Sequence, residues 1–117
     1  MRHRKEGRKF HRLRGERISF LKNLMHNLIM QESITTTEAR AKEIRSKIEH
    51  LITIGKKQNV ASLRLLSARL SSKKTAYKLY HEIAPRYNER LGGYTRIQKL
   101  GTRRKRDGVA LSKISFV

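Results

Sequence analysis

The sequence contains no cysteine, no tryptophan, one proline and one aspartate in 117 residues. Without cysteine there is no disulfide scaffold, no thiolate zinc site and no thiol nucleophile, and the absence fits a reducing compartment. No apolar run approaches the ~18 residues that a membrane-spanning helix needs. The basic N-terminus has no hydrophobic segment behind it of the kind that directs export, so the chain is expected to be soluble and unexported. Negative charge is also scarce: nine Asp and Glu stand against 29 Lys and Arg, a formal net charge of +20.

Such an excess repels itself in a compact state, and folding alone does nothing to favour it. A polyanionic partner does. Nucleic acid and an anionic membrane surface both qualify, and the phosphate backbone is the denser array of fixed charge. The mass of 13.7 kDa is that of one domain, which buries roughly two thirds of the area exposed by its unfolded chain.

Residues 1–17 carry Arg2, Arg4, Lys5, Arg8, Lys9, Arg12, Arg14 and Arg17 and show no stripe that would face a core. Phe10 and Leu13 are spaced like one helical turn, but Gly7 and Gly15 interrupt the segment and like charges crowd it. It is expected to be disordered when free, an arm of about 15 residues reaching about 50 Å if extended at ~3.3 Å each.

Over residues 16–32 the side chains Phe20 or Leu21, Leu24, Met25, Leu28 and Ile29 recur at three- and four-residue steps and predict an amphipathic helix. The β-branched run Ser33-Ile34-Thr35-Thr36-Thr37 predicts a strand ending in a helix cap. Ala41, Ile44, Ile48, Leu51 and Ile52 form a second helical stripe, with Glu38 to Lys42 and Glu43 to Lys47 as supporting pairs and an end near Gly55. Asn59 caps a third helix bearing Leu63, Leu66 and Leu70, and Ser71-Ser72 precedes a fourth with Ala76, Leu79, Tyr80 and Ile83. Pro85 marks that helix's end or a sharp bend.

Two strands follow Gly92-Gly93, over residues 94–100 and 109–117, the second placing Ala110, Ile114 and Phe116 on one face. Asp107-Gly108 signals the turn between them, and Arg103-Arg104-Lys105-Arg106 makes its tip basic. The expectation is a two-layer α+β domain over residues 16–117, in the order α-β-α-α-α-β-β with a three-stranded sheet, plus a basic arm over residues 1–15. The early strand is expected to join the terminal pair, since alone it would leave its backbone groups unpaired.

Catalytic patterns fail on inspection. Phosphodiester hydrolysis needs clustered carboxylates or a positioned acid and base, whereas the glutamates are scattered, and Glu38, Glu43 and Glu82 each have a cation four residues on, the pattern of a solvated helix face. His81-Glu82 opens like a zinc-protease motif, but Pro85 stands where the second histidine belongs. Gly92-Gly93 lacks the spacing of a nucleotide-binding loop. No enzyme activity, cofactor, metal or small-molecule substrate is expected. His26 and His50 read as surface or boundary side chains, while His3 and His11 lie in the arm, where contact with RNA suits them better than a metal does.

The cations make the positive case. Lys56-Lys57 and Lys73-Lys74 sit near helix ends and suit a solvated face as well as a ligand. The arm is different, because it uses mostly arginine, which binds phosphate through two parallel hydrogen bonds and stacks on bases. The candidate RNA-binding residues of the arm are Arg2, His3, Arg4, Lys5, Arg8, Lys9, His11, Arg12, Arg14 and Arg17. On the domain they are Arg86, Arg90, Tyr94, Arg96, Lys99, Arg103, Arg104, Lys105 and Arg106. Tyr87 and Tyr94 offer rings for stacking, with a core position as the alternative. No helix-turn-helix, zinc-finger or RNA-recognition signature is legible, and an arm that folds on binding suits an irregular RNA better than a uniform duplex.

Several blocks together carry a resemblance. Met1-Arg2-His3-Arg4-Lys5-Glu6-Gly7-Arg8-Lys9, Ile34-Thr35-Thr36-Thr37, Ala39-Arg40-Ala41-Lys42-Glu43, Ala84-Pro85-Arg86-Tyr87 and Gly92-Gly93-Tyr94-Thr95-Arg96-Ile97 resemble bacterial large-subunit ribosomal protein seventeen over nearly the whole chain. The resemblance implies the same α+β order and a non-catalytic, cytoplasmic constituent of the large ribosomal subunit. It implies binding to large-subunit rRNA near the peptide exit tunnel and neighbouring large-subunit proteins as partners. Carried over, residues 2–17 are the rRNA-penetrating extension, and Arg86, Arg90, Tyr94, Arg96 and Lys99 belong to a second contact region. The pattern departs at the last hairpin, where Arg106-Asp107-Gly108 stands in place of the usual Gly-Asp. A DNA-compacting chromosomal protein is the alternative from another class, distinguished by equal affinity for duplex DNA. A cationic membrane-active protein is disfavoured by apolar stripes sized for helix packing.

Overall fold

The computed structural model describes residues 7–117. Its elements are α1 (Arg14–Gln31), β1 (Ser33–Thr37), α2 (Glu38–Gly55), α3 (Val60–Leu70), α4 (Lys73–Lys78), β2 (Thr95–Arg103) and β3 (Ala110–Phe116). This is the expected α+β order, with α1 beginning two residues before the expected start at residue 16.

Local chemistry fixes most boundaries. Glu32 takes a left-handed conformation after α1, so β1 follows at once. The Thr37 hydroxyl accepts from the Arg40 backbone N–H at 3.3 Å and caps α2. Asn59 and Ser62 exchange side-chain and backbone hydrogen bonds at the start of α3, a reciprocal cap that satisfies two otherwise orphan donors. Ser71 turns left-handed and Ser72 caps α4.

After α4 the helical path continues instead of stopping. Leu79–Ile83 forms a wide π turn, in which the Ala84 N–H reaches back to the Leu79 carbonyl, and Ala84–Tyr87 tightens into a 3-10 turn. Pro85 explains both changes, since its ring clashes with a regular helix behind it and it has no N–H to donate. The expected end or sharp bend at Pro85 is thus a change of helical pitch, and the backbone does not leave the helix until after Tyr87.

The sheet order is β1-β3-β2, antiparallel throughout, so the last strand lies between the other two. Ile114 faces Ile34 on one side and Ile97 on the other. Between Lys99 and Arg103 the register of β2 slips around Gly101, which has a φ of +73°. The helix α2 packs against all three strands. Leu28, Ile29, Ile44, Ile48, Ile52, Leu66, Leu79, Ile83 and Ile114 are fully buried between the layers. Two polar ties hold the layers in register. The Glu49 carboxylate accepts from both the backbone N–H (3.1 Å) and the hydroxyl (3.0 Å) of Thr95, and the Tyr87 hydroxyl donates to the Val117 carbonyl at 2.8 Å.

Candidate nucleic-acid interface

Residues 7–13 lie against the domain. Arg12 N–H donates to the Lys9 carbonyl at 3.1 Å across Phe10 and His11, both left-handed at φ of 53° and 54°. This is the geometry of a type I′ turn, normally filled by Asn-Gly. Two non-glycine residues hold it here because the turn is anchored. The Phe10 ring packs edge-on against Phe20, Arg12 stacks over Phe20 with its Cζ 3.9 Å from the ring centre, and Arg12 donates to the Phe10 carbonyl at 2.9 Å. Arg8 donates to the Glu43 carboxylate at 3.2 Å. The stretch has no core-facing stripe, as expected, but Phe10 alone packs against the core, while Leu13, one helical turn on, is 75% exposed.

Among the other arm candidates, Lys9, His11 and Arg14 are exposed and Arg17 is half-buried in the first turn of α1. Arg2, His3, Arg4 and Lys5 lie outside the described residues. The expected Glu43 to Lys47 pair gives way to the arm, since Glu43 is held by Arg8, whereas Glu38 does pair with Lys42 at 2.8 Å.

The second group of candidates divides. Arg86 and Arg90 lie near the start of β2, and the hairpin tip lies at its far end, roughly 30 Å away for a nine-residue strand at ~3.3 Å per residue. Arg86 is paired with Glu32 and holds that carboxyl below its ordinary range, its own guanidinium being raised in turn. Arg90 donates to the Gly93 carbonyl at 3.1 Å. Arg96 and Lys99 stand exposed along β2, Lys99 within 3.7 Å of Glu38.

Tyr94 must be removed from the set of RNA-facing residues. It is buried beside Tyr87, and its hydroxyl accepts from Lys56 Nζ at 2.9 Å, a bond that holds its pKa below that of an ordinary phenol. Its ring is a core contact, the alternative the sequence left open. Tyr87 is likewise buried, which pushes its phenol up.

At the tip, Arg103 donates to the Gly108 carbonyl at 2.8 Å, and Arg104 grips Asp107 through Nε at 3.1 Å and Nη2 at 2.5 Å, holding that carboxyl low. Lys105 and Arg106 are exposed. The root of the arm and the base of the hairpin meet over the first turn of α2, where Arg8, Glu38, Ala39, Lys42, Val109 and Ala110 line one open groove.

Sequence reasoning passed over Arg40, which packs beside the arm on Phe20. Its Cζ lies 5.0 Å from the centre of the Phe20 ring, and its pKa is lowered by burial first and then by Arg104 and Arg12. The available signal was its position three residues after a capping threonine, where the helix's own positive end disfavours a cation. Among the described residues, no group of three His, Asp or Glu side chains could hold a metal, and no helix is long and apolar enough to cross a membrane.

A sequence model of the family described as "Ribosomal protein L17" matches residues 20–117. The chain is 45% identical over 117 residues to the large ribosomal subunit protein bL17 of Sulfurihydrogenibium sp. (strain YO3AOP1), covering 100% of this chain and 97% of that one. It is 47% identical over 118 residues to the bL17 of Persephonella marina, covering 100% and 95%, and 42% identical over 117 residues to that of Thermus thermophilus, covering 100% and 99%.

Proposed function

The chain belongs to the ribosomal protein L17 family, a structural and non-enzymatic component of the large ribosomal subunit, and from that premise we propose that it binds large-subunit rRNA near the peptide exit tunnel and holds RNA segments together there. The supporting observation is the meeting of the arm root and the basic hairpin over α2. Arg8 of the arm root and Val109 and Ala110 at the base of the basic hairpin line one groove over the first turn of α2, with Lys9, Arg14, Lys105 and Arg106 exposed on the two segments. A solvated charged face needs no such convergence; a backbone of phosphates gains from it, because each neutralised phosphate releases condensed counterions. The cations at the arm root contact one RNA segment, while Arg86, Arg90 and Arg96 contact a second segment near the other end of β2. Neighbouring large-subunit proteins complete the surroundings.

The test is a titration of the full chain against protein-free large-subunit rRNA at several salt concentrations. With about 8 phosphates neutralised, log K falls against log salt with a slope of roughly −6 to −7, at ~0.7 to 0.9 per contact. A slope near zero, or equal affinity for duplex DNA, overturns the reading. Crosslinking within intact large subunits tests the position, and crosslinks confined to RNA remote from the tunnel exit refute it.

A further inference from the structure

We infer that the outer edge of β1 is a docking site, at which an extended segment of a neighbouring large-subunit protein adds to the sheet as a fourth strand. That the occupant is a large-subunit neighbour rests on the reading above; that the edge is open rests on the backbone alone.

Backbone alternation exposes this edge. Along an antiparallel pair, successive residues direct their N–H and carbonyl groups first at the partner strand and then away from it. The Phe116 N–H donates to the Glu32 carbonyl at 3.3 Å, so Ile34 and Thr36 face β3, and Ser33 and Thr35 face outward. On the other side of β3, the Val117 N–H donates to the Tyr94 carbonyl at 2.9 Å, the opposite phase that a middle strand requires. Among the described residues the outward groups of Ser33 and Thr35 make no hydrogen bond. Sheet edges are ordinarily guarded by charge, proline, a bulge or shortness. The outer edge of β2 is guarded: the strand carries Arg96, Lys99 and Arg103, slips in register before Arg103, and gives its Thr95 N–H to Glu49. Ser33-Ile34-Thr35-Thr36-Thr37 has no charge, proline or glycine, and its length is that of an ordinary strand.

The groove beside the edge fits a peptide. It has a volume of about 530 Å³ and is lined by β1 and by the α1 side chains Leu24, Asn27 and Gln31. One water takes only ~30 Å³, so the space admits a segment of chain. Donors and acceptors are both offered along the edge, and a peptide backbone answers both, whereas a phosphate answers only the N–H groups and is repelled by the carbonyls. Asn27 and Gln31 stand one helical turn apart, and their amides can donate to and accept from the far side of the segment. Arg40 lines the same groove from the first turn of α2 and, among the described residues, forms no salt bridge. An incoming segment with a carboxylate at that end complements it. A second copy of this chain is a poor occupant, because it brings a further net charge of +20 to the same surface.

Photocrosslinking in assembled subunits tests the site. Benzoylphenylalanine replaces Gln31, which is exposed on the groove wall, in the full chain, and purified large subunits containing it are irradiated and digested for mass spectrometry. One peptide of one other large-subunit protein is expected. Crosslinks to rRNA alone, to a second copy of this chain, to residues 1–6 of the same chain, or to nothing overturn the proposal. The experiment is repeated with Thr35→Pro, which removes an outward N–H and leaves the bonds from Ile34 and Thr36 to β3 in place. The crosslink is then expected to fall about fivefold, the effect of one net hydrogen bond. Thr35→Lys, at an exposed position, blocks the edge by charge and serves as the second variant should circular dichroism show that the proline disturbs the fold. Both variants are expected to keep the affinity of the unaltered chain for protein-free rRNA; an undiminished crosslink, or an equal loss of rRNA affinity, overturns the site. If the unaltered chain shows no salt-dependent RNA binding, the proposed function fails on its own, and the crosslink within the subunit still decides whether the edge is occupied.

Discussion

Phe10 meets Phe20 edge to face, with ring centres 5.3 Å apart and planes inclined at 62°. Through this contact the basic N-terminal segment is joined to α1 within the chain itself. An aromatic pair contributes roughly 0.5–1.5 kcal/mol beyond the area it buries. Two left-handed non-glycine residues together cost about 2–4 kcal/mol at ~1–2 each, so the ring contact offsets only part of the strain at Phe10 and His11, and the Arg12 contacts with Phe20 and the Phe10 carbonyl offset more of it.

Phe10→Ala is expected to release that turn. Trypsin should then cut after Lys9 and Arg12 several times faster, while the melting temperature of the domain changes by only a few degrees. An unchanged cleavage rate would show that the turn needs no aromatic anchor.

Glu49 ties α2 to the first residue of β2 through two hydrogen bonds to Thr95, which is buried. Glu49→Ala leaves the Thr95 N–H and hydroxyl without an acceptor, a loss of about 1–3 kcal/mol. Glu49→Gln keeps an oxygen in place and should lose less. Urea denaturation of both variants gives the comparison, and equal losses would mean that the charge, not the acceptor, matters.

Gly55 closes α2 where a Cβ would stand 3.0 Å from the Ala84 Cβ and 3.4 Å from Leu66 Cδ1. Alanine ordinarily strengthens a helix by up to about 1 kcal/mol relative to glycine. Here the neighbour is a short side chain on the 3-10 turn, which cannot move aside without the backbone. Gly55→Ala is therefore expected to lower stability by about 1–3 kcal/mol, read as a drop in melting temperature; a rise would show that the 3-10 turn yields.

Glu32 is held below its ordinary pKa of 4.5 chiefly by its hydrogen bond to Arg86. The folded state thus keeps this carboxylate charged at lower pH than the unfolded chain does. The pair's contribution is complete above about pH 4.5 and is lost as pH falls through the lowered folded value. Both side chains are exposed, so the contribution is at most about 1 kcal/mol. Melting temperatures measured between pH 6 and 3 should fall less steeply for Glu32→Gln than for the unaltered chain; parallel curves would remove the pair from the balance.

Wherever periodicity and caps agreed, the sequence was legible. Leu28, Ile29, Ile44, Ile48 and Ile52 sit where a 3.6-residue period puts them, and Thr37, Asn59 and Ser72 cap the helices that follow. The path through Pro85 was not, because a period cannot distinguish a helix that stops from one that changes pitch. The core contact of Phe10 was not legible because a lone aromatic amid arginines forms no stripe, and its partner lies ten residues away across a turn that local propensity disfavours. The hairpin's cations read correctly as a basic tip, but Tyr94 shows the limit of composition: a tyrosine among basic residues is equally good as core, and Lys56 and Tyr87 decide the matter from remote parts of the chain.

The strand that completes the sheet is made last yet lies in its middle. Ile34 and its cross-strand partner Ile114 are 80 positions apart, so a growing polypeptide must carry β1 and β2 with unsatisfied edges until β3 arrives between them. Pairings of such separation close slowly, since loop entropy is spent before any contact rewards it. Birth of this domain is therefore a single late event, in which the helical layer waits as a scaffold and the final segment acts as the zip.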